Sequence, residues 1–453
     1  PFIGTSAMKI IIAGDGEVGF HLAKLLSNDR HSITVVDPCQ DLIKMIESNT
    51  DLFAITGDST SISVLNQAGV ANTDLLMAVV HNEQVNIVTC ALGKKLGAKR
   101  TIARISNPEY LTHKNSEVLR TLGIDILVCA EKIASEEIVR LLQQPGATEI
   151  FDFSDGKLML FMVKLDNKSL VIGKSLHDIS KENPNLEFRA VAMHRDGKTI
   201  IPRGDDRFKE GDMAYVVTRP SGINELLRYS GKQKYDIVNV MVIGGGDIGK
   251  ETALRLENTY NVKIIEPDKE RCIALSDILH NTLIINGDTR NIELLEYEGL
   301  RQMDAFIAVT DDTEDNIFSC LLAKRQGVKK VIALVENIDF IDIAQSIGIE
   351  CIINKKLVTA SYIVKHTMQT PVNAIKLLSG IDADVVEFVT QKGSRITKGP
   401  IKKVKTPQGS IIGGIIRGNE GIIATGDVQI MEGDKVVVFS MPEALEKVSE
   451  YFR

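Results

Sequence analysis

Tryptophan is absent from the 453 residues, and aromatic side chains make up only 5% of them. The cores must therefore be aliphatic, which suits parallel sheets buried on both faces and rich in Val and Ile. No CxxC pair occurs: Cys39, Cys90, Cys129, Cys272, Cys320 and Cys351 are scattered and do not cluster with His. That argues against zinc and redox-motif sites and for a reducing cytoplasm, with Cys90, Cys320, Cys129 and Cys351 as small buried hydrophobes. No apolar run approaches the roughly 20 residues a bilayer span needs, so any membrane role is expected to run through a partner. An excess of positive charge is missing too. Against 60 Asp+Glu stand 53 Lys+Arg, a net charge of −7, which gives no global attraction to nucleic acid. The short basic stretch TKGPIKKVK (397–405) has no interleaved aromatics and reads as a solvated loop. GxSxG, HExxH and the Walker-type GxxxxGK[ST] are all absent, so the common α/β-hydrolase, metalloprotease and P-loop chemistries have no foothold.

What is present is written twice. The chain is too long for one core, since cores stop growing at roughly 250–300 residues. Shifting it by 230 positions lays Gly14, Gly16 and Gly19 on Gly244, Gly246 and Gly249, and ITGDST (55–60) on INGDTR (285–290). The same shift lays residues 73–103 on 303–333, with Asp74 on Asp304 and Asn86 on Asn316. A unit this long is a duplicated domain pair, not a solenoid repeat. In each copy, short β-branched runs such as KIIIA (9–13), SITVVD (32–37) and LLMAVV (75–80) alternate with helical spacing, for example Phe20, Leu22, Leu25 and Leu26. Strands alternating with helices predict an α/β fold with a doubly wound, Rossmann-like parallel sheet. Each sheet is followed by a helix and then by a small α+β lobe whose Gly-Asp pairs (Gly204-Asp205, Gly211-Asp212, Gly426-Asp427, Gly433-Asp434) read as hairpin turns.

The expected organisation is a first sheet domain over 8–130, a connecting helix over 131–147 and a lobe over 148–232. A second sheet domain over 236–355, a helix over 356–371 and a lobe over 372–453 follow. PFIGTSA (1–7), ahead of Met8, reads as an expression scar.

Gly14-Asp15-Gly16-Glu17-Val18-Gly19 has a strand before it, a helix after it and an acid at the end of the next strand. In that setting the first glycine permits the tight turn, the second lets a pyrophosphate approach the backbone, and the third lets helix pack on strand. The helix N-terminus adds free N–H groups for the phosphates. Asp37 ends the second strand, where a carboxylate can accept both ribose hydroxyls and repels a 2′-phosphate. NAD(H) is therefore favoured over NADP(H), and ATP or ADP stays compatible. Gly244-Gly245-Gly246-Asp247-Ile248-Gly249 with Glu266 repeats the arrangement. The copies differ beyond the glycines. Val80 and His81 sit at the carboxyl edge of the first sheet, where doubly wound folds bind ligands, and Arg104 offers the phosphates a cation. Their counterparts are Thr310, Asp311 and Leu334. The second site is expected to bind more weakly, to bind something else, or to stay empty.

A dehydrogenase needs an acid/base partner beside the nicotinamide. Only His81 is placed for that, and a duplicated catalytic group would recur, whereas His81 becomes Asp311. The expectation is no catalytic residue and no metal site, with a nicotinamide-dependent oxidoreductase as the alternative. A redox-sensing DNA-binding repressor is disfavoured by the charge and by the lack of a separate helix-turn-helix segment.

The series GDGEVG, VVD, TGD, AVVHNEQVN and IAR, with GKSL and IPRGDDRFKEGD in the lobe, resembles the tandem TrkA-N/TrkA-C family. Its units regulate potassium conductance (RCK units), and the resemblance runs from Met8 to the C-terminus. It implies a cytosolic, non-enzymatic regulator of bacterial potassium uptake, peripheral on the inner face of the plasma membrane. It also implies NAD(H) binding, with ATP/ADP in some members, and a homo-oligomeric ring, dimer or tetramer, docked beneath a TrkH/TrkG-like pore subunit. The nucleotide contacts it implies are Gly14 to Gly19, Asp37, Asp58 of the TGD turn, Val80, His81 and Arg104, then Gly244 to Gly249 and Glu266.

Overall fold

Short runs of β-branched and aliphatic residues form the centre of both large sheets, as their composition requires. The computed structural model describes residues 8–14, 19, 22–23, 26, 31–49, 52–182, 186–232, 235–367, 372–378, 383–404 and 406–453. The stretch 1–7, residues 15–18, and Phe20 and Leu25 lie outside the described residues. By compactness the chain falls into two units, Pro1–Ala130 with Val358–Gln369, and Glu131–Leu357 with Thr370–Arg453.

The first sheet comprises β1 (Lys9–Ala13), β2 (Ser32–Asp37), β3 (Phe53–Thr56), β4 (Leu75–Ala78), β5 (Arg100–Arg104) and β6 (Ile126–Val128), in the order β3-β2-β1-β4-β5-β6. All pairings are parallel. The order reverses between β1 and β4, which opens a crevice at their carboxyl ends. Ile10, Ile11, Ile12 and Ala13 are buried, as a central strand covered on both faces requires. The helix Glu83–Leu96 starts where Asn82 accepts the N–H groups of Gln84 and Val85, and ends at Gly97 with φ 120°.

In the second unit, β7 (Glu149–Phe153), β8 (Leu158–Lys164), β9 (Phe188–Arg195), β10 (Lys198–Ile200) and β11 (Met213–Thr218) make an antiparallel sheet, ordered β10-β9-β11-β8-β7. A second parallel sheet follows: β12 (Asn239–Ile243), β13 (Asn261–Glu266), β14 (Thr282–Asn286), β15 (Ala305–Ala308), β16 (Lys330–Leu334) and β17 (Cys351–Ile353), in the order β14-β13-β12-β15-β16-β17. The last sheet contains β18 (Val372–Leu377), β19 (Asp384–Val389), β20 (Ser410–Arg417), β21 (Glu420–Ile423) and β22 (Lys435–Ser440), ordered β18-β19-β22-β20-β21. Read from its other edge this is the first lobe's order, strand for strand, so the duplication extends to the lobes.

The Gly-Asp pairs do more than turn the chain. Gly211 and Gly433 take φ of 89° and 82°, as turn glycines do. Asp212 and Asp434 are buried and each grips an arginine with both oxygens. Arg195 Nε and Nη2 lie 2.7 and 2.6 Å from Asp212, and Arg417 Nε and Nη2 lie 2.9 and 2.7 Å from Asp434. A bidentate guanidinium–carboxylate pair fixes orientation as well as supplying energy. In the basic stretch, Lys402 pairs with Asp427.

The two lobes share one apolar core that contains Phe153, Leu160 and Tyr215 from the first and Val385, Ile416 and Phe439 from the second. Helix Ala130–Gln143 follows the first sheet in sequence but belongs to the second unit. There Ala134, Ile138, Leu141 and Leu142 join the core that holds Val240, Val242 and Ile264. Arg255 ties it further, its Nε donating to Ser135 Oγ at 3.2 Å and its Nη2 meeting Glu136 at 3.1 Å. Most of helix Lys355–Thr367, which follows the second sheet, groups with the first unit instead. Buried Lys376 of β18 meets Glu137 of the connecting helix and, at 3.3 Å, Glu149 of β7, joining that helix to both lobes. Cys90, Cys129, Cys272, Cys320 and Cys351 are buried free thiols and Cys39 is exposed. Among the described residues no helix is long and apolar enough to cross a membrane.

Candidate functional site

The glycine turns leave the central strands as expected. Gly14 donates its N–H to Val36 O at 3.1 Å, and Gly244 donates to Ile265 O at 3.0 Å, so each turn begins anchored on the second strand of its sheet. A Cβ on Gly14 would lie 2.9 Å from Gly19 Cα, and one on Gly249 would lie 2.0 Å from Gly244 O. This is the close strand–helix approach that the third glycine of the motif exists to allow. Gly244 has φ 96°, a conformation that strains any other residue. Around Gly246 the space is open, with no atom within 4 Å of a built Cβ. That residue caps the helix Asp247–Leu256 without a side-chain partner for the helix N–H groups. Asp247 lies in its first turn, while Ile248 is buried in the core, leaving only its backbone at the turn.

Asp37 ends β2 and Glu266 ends β13, both almost fully buried at 1% and 2% exposure. Each carboxylate accepts the N–H two residues on: Asp37 Oδ1 from Cys39 at 2.7 Å, Glu266 Oε1 from Asp268 at 2.9 Å. Glu266, one methylene longer, also accepts the Gly245 N–H with Oε2 at 2.6 Å and has Arg271 at 3.6 Å. In the second copy the acid is therefore bonded to the glycine turn itself.

The residues at the carboxyl edge are held by a device that the sequence aligned but did not explain. Buried Asn86 accepts the Val80 N–H at 2.9 Å and donates to Val80 O at 2.8 Å and Arg104 O at 2.9 Å. One amide thus ties the ends of β4 and β5 together and fixes where Val80, the exposed His81 and the half-buried Arg104 begin. Asn316 repeats it on Thr310 N (3.0 Å), Thr310 O (2.9 Å) and Leu334 O (3.0 Å). Its recurrence at the repeat offset was the available signal.

Asp58 and Asp288 cap their own turns. Asp58 accepts both the N–H and the hydroxyl of Thr60 at 2.8 Å, and these bonds, the backbone one first, hold its carboxyl below the usual range. Asp288 accepts the Arg290 N–H at 3.0 Å and pairs with its guanidinium. Arg290, where the first copy has Thr60, also comes within 3.8 Å of Asp315, so the second edge carries a cation that sequence reasoning overlooked. Asp312 is the N-cap of helix Thr313–Arg325 and accepts the Asp315 N–H at 2.7 Å. Leu334 is buried at 2% exposure inside the apolar core, so that strand end closes over where Arg104 stands in the first copy. A buried acceptor at the second strand's tip, a close-packed glycine turn and a clamped strand edge form a cradle that fits a ribose-phosphate group. Among the described residues no group of His, Cys, Asp or Glu could hold a metal ion.

The TrkA-N domain family matches residues 10–130 and 240–355, and the TrkA-C domain family matches 160–231 and 385–453. The chain is 33% identical to "Trk system potassium uptake protein TrkA homolog 1" of Methanosarcina mazei, over 98% of this chain and 100% of that protein.

The chain belongs to the TrkA family.

Another TrkA family member, "Trk system potassium uptake protein TrkA" of Haemophilus influenzae, is 34% identical over 95% of each chain. Among solved structures, the RCK domain of GsuK aligns over 100% of this chain and 97% of its own with a TM-score of 0.60 at 17% identity. The structure titled "GsuK channel bound to NAD" gives the same TM-score and identity, over 100% of this chain and 80% of its own. At that identity the likeness shows the fold, a tandem of Rossmann-like sheets and antiparallel lobes, as in RCK domains.

Proposed function

We propose that this TrkA family chain is a non-enzymatic, cytoplasmic regulatory subunit of a Trk-type potassium uptake system. It binds NAD(H) or ATP/ADP at its first glycine turn and passes the resulting conformational change to a separate TrkH/TrkG-like pore subunit at the membrane. The ligand would be held by Gly14 to Gly19, with Asp37 on the ribose and Arg104 on the phosphates beside Val80 and His81. The observation that carries this reading is the duplicated strand-edge clamp, in which Asn86 and Asn316 place equivalent backbone but no equivalent acid or base. At the position after Val80 and Thr310 stands exposed His81 in one copy and exposed Asp311 in the other. A machine for hydride transfer would repeat its catalytic group, whereas a sensor needs only differential binding.

Energetics favour several coupled sites. A ligand shifts an equilibrium only by its differential affinity for the two states. A 100-fold preference supplies about 2.7 kcal/mol, while a swing from 1:99 to 99:1 needs about 5.5 kcal/mol. One site falls short, and a homo-oligomeric ring of such units does not.

The test is calorimetric titration with NADH, NAD+, ATP and ADP, paired with potassium flux after reconstitution with the pore subunit. Nucleotide is expected to bind, to change flux and to be recovered unaltered. Chemical conversion of the ligand, or flux indifferent to it, defeats the proposal.

A further inference from the structure

A cavity lies where the two lobes of the second unit meet. It has a volume of about 390 Å³ and is walled by Val163, Phe208, Ala214 and Val216 of the first lobe and Ile411 and Ile423 of the second. The exposed His177 and Ser180 also line it. This falls within the size and apolar character of small-molecule sites, which run from roughly 300 to 1,000 Å³. One charge enters this apolar space. Arg189, on β9, lines the cavity, and its one hydrogen bond among the described residues runs from Nη1 to the Ala424 carbonyl. It has no carboxylate partner among the described residues. Burial alone pushes its guanidinium pKa down, with no acid pulling it back up.

Three other cations of the lobes each have a carboxylate partner. Arg195 has Asp212, Arg417 has Asp434 and Lys376 has Glu137. A guanidinium carries five N–H donors, and even a partly buried one such as Arg189 loses hydration that no counter-ion restores. The repeat shows that the scaffold does not need this one. At the lobe offset that maps Arg195 on Arg417, Arg189 maps on Ile411, which lines the same cavity. Both strands carry the same bulge two residues further on, at Val191 of β9 against β11 and Gly413 of β20 against β22, so the two side chains occupy equivalent places. One copy presents an apolar wall and the other a cation.

The geometry points to a binding site for an amphipathic monocarboxylate, its apolar body in the cavity between the lobes and its carboxylate on the Arg189 guanidinium. The fork of N–H groups matches a carboxylate's two oxygens. A single cation balances a monoanion and leaves a dianionic phosphate monoester uncompensated. Because the pocket is built from both lobes, a ligand there would brace one against the other.

The probes are decanoate and decanol, titrated into the full-length protein by calorimetry and thermal shift. Wild type is expected to bind decanoate and to bind decanol at least about tenfold more weakly, the margin a charge-assisted pair provides. R189M should lose that margin and, by removing a partly buried charge that has no carboxylate partner among the described residues, melt no lower than wild type without ligand. A214L, which fills the cavity and keeps the arginine, should bind neither probe. Nucleotide affinity should be unchanged in both variants, so this proposal and the nucleotide reading fail separately. Equal binding of decanol, decanoate binding that survives R189M or A214L, or no decanoate binding to wild type overturns it.

Discussion

The two parallel-sheet domains are built on one plan, and their divergence sits at the sheet edge. Strand order, the anchor from turn glycine to second strand and the asparagine clamp are the same in both. Val80, His81 and Arg104 give way to Thr310, Asp311 and Leu334, and the second acid accepts a bond from its own glycine turn. Leu334 is packed into core while Arg104 remains half-buried. A duplicated scaffold has kept the residues that hold backbone and changed the residues proposed to face a ligand. That is the pattern expected when one copy keeps the binding role and the other is retained for architecture.

The largest effect that would sharpen this comparison comes from the glycines. Gly249→Ala places a methyl 2.0 Å from a carbonyl oxygen, and Gly14→Ala places one 2.9 Å from a Cα. We expect the first to destabilise its domain by about 3–5 kcal/mol and the second by about 1–3 kcal/mol, read by domain-resolved hydrogen exchange. Equal protection loss in the two domains would contradict the packing difference.

Asn86→Ala and Asn316→Ala each strand three backbone groups at the sheet edge. Each should cost about 2–4 kcal/mol of stability in denaturant melts, since unsatisfied buried groups pay their desolvation. Only Asn86→Ala should also abolish nucleotide binding. If Asn316→Ala does so as well, the second site is the working one, or both are.

Asp37→Ala should weaken adenine nucleotide binding by about 10- to 100-fold, the value of hydrogen bonds to a charged acceptor. Glu266→Ala should leave that affinity alone and instead lower stability by about 1–3 kcal/mol, because the Gly245 and Asp268 N–H groups lose their acceptor. Calorimetry and thermal melts on the same samples separate the two. Smallest is the edge cation. Arg104→Ala should cost about tenfold in affinity, growing as salt is lowered, while Leu334→Ala should cost none.

Much of the scaffold was legible from residue patterns. The β-branched runs, the glycine spacing and the acids at Asp37 and Glu266 are local signals, and comparing the chain with itself doubled each of them. The strand edge was half legible. Asn86 and Asn316 aligned, but a side chain bonding backbone six and eighteen residues away leaves no local pattern. The lobe aspartates were read as turn residues because the turn is local, whereas their partners Arg195 and Arg417 lie 17 positions upstream on another strand. Arg290 escaped notice because its relevance depends on Asp315 arriving from a different helix.

Sequence by itself determined the duplicated α/β architecture and the two glycine turns, since periodicity and short-range sterics act between neighbours along the chain. Only the tertiary structure decided that the connecting helices group with the opposite sheet domain, that the lobes share a core, and that Arg189 stands without a counter-ion beside Ile411. Those outcomes depend on which apolar faces find each other across more than a hundred residues, a choice made by burial of the whole surface and not by any local run.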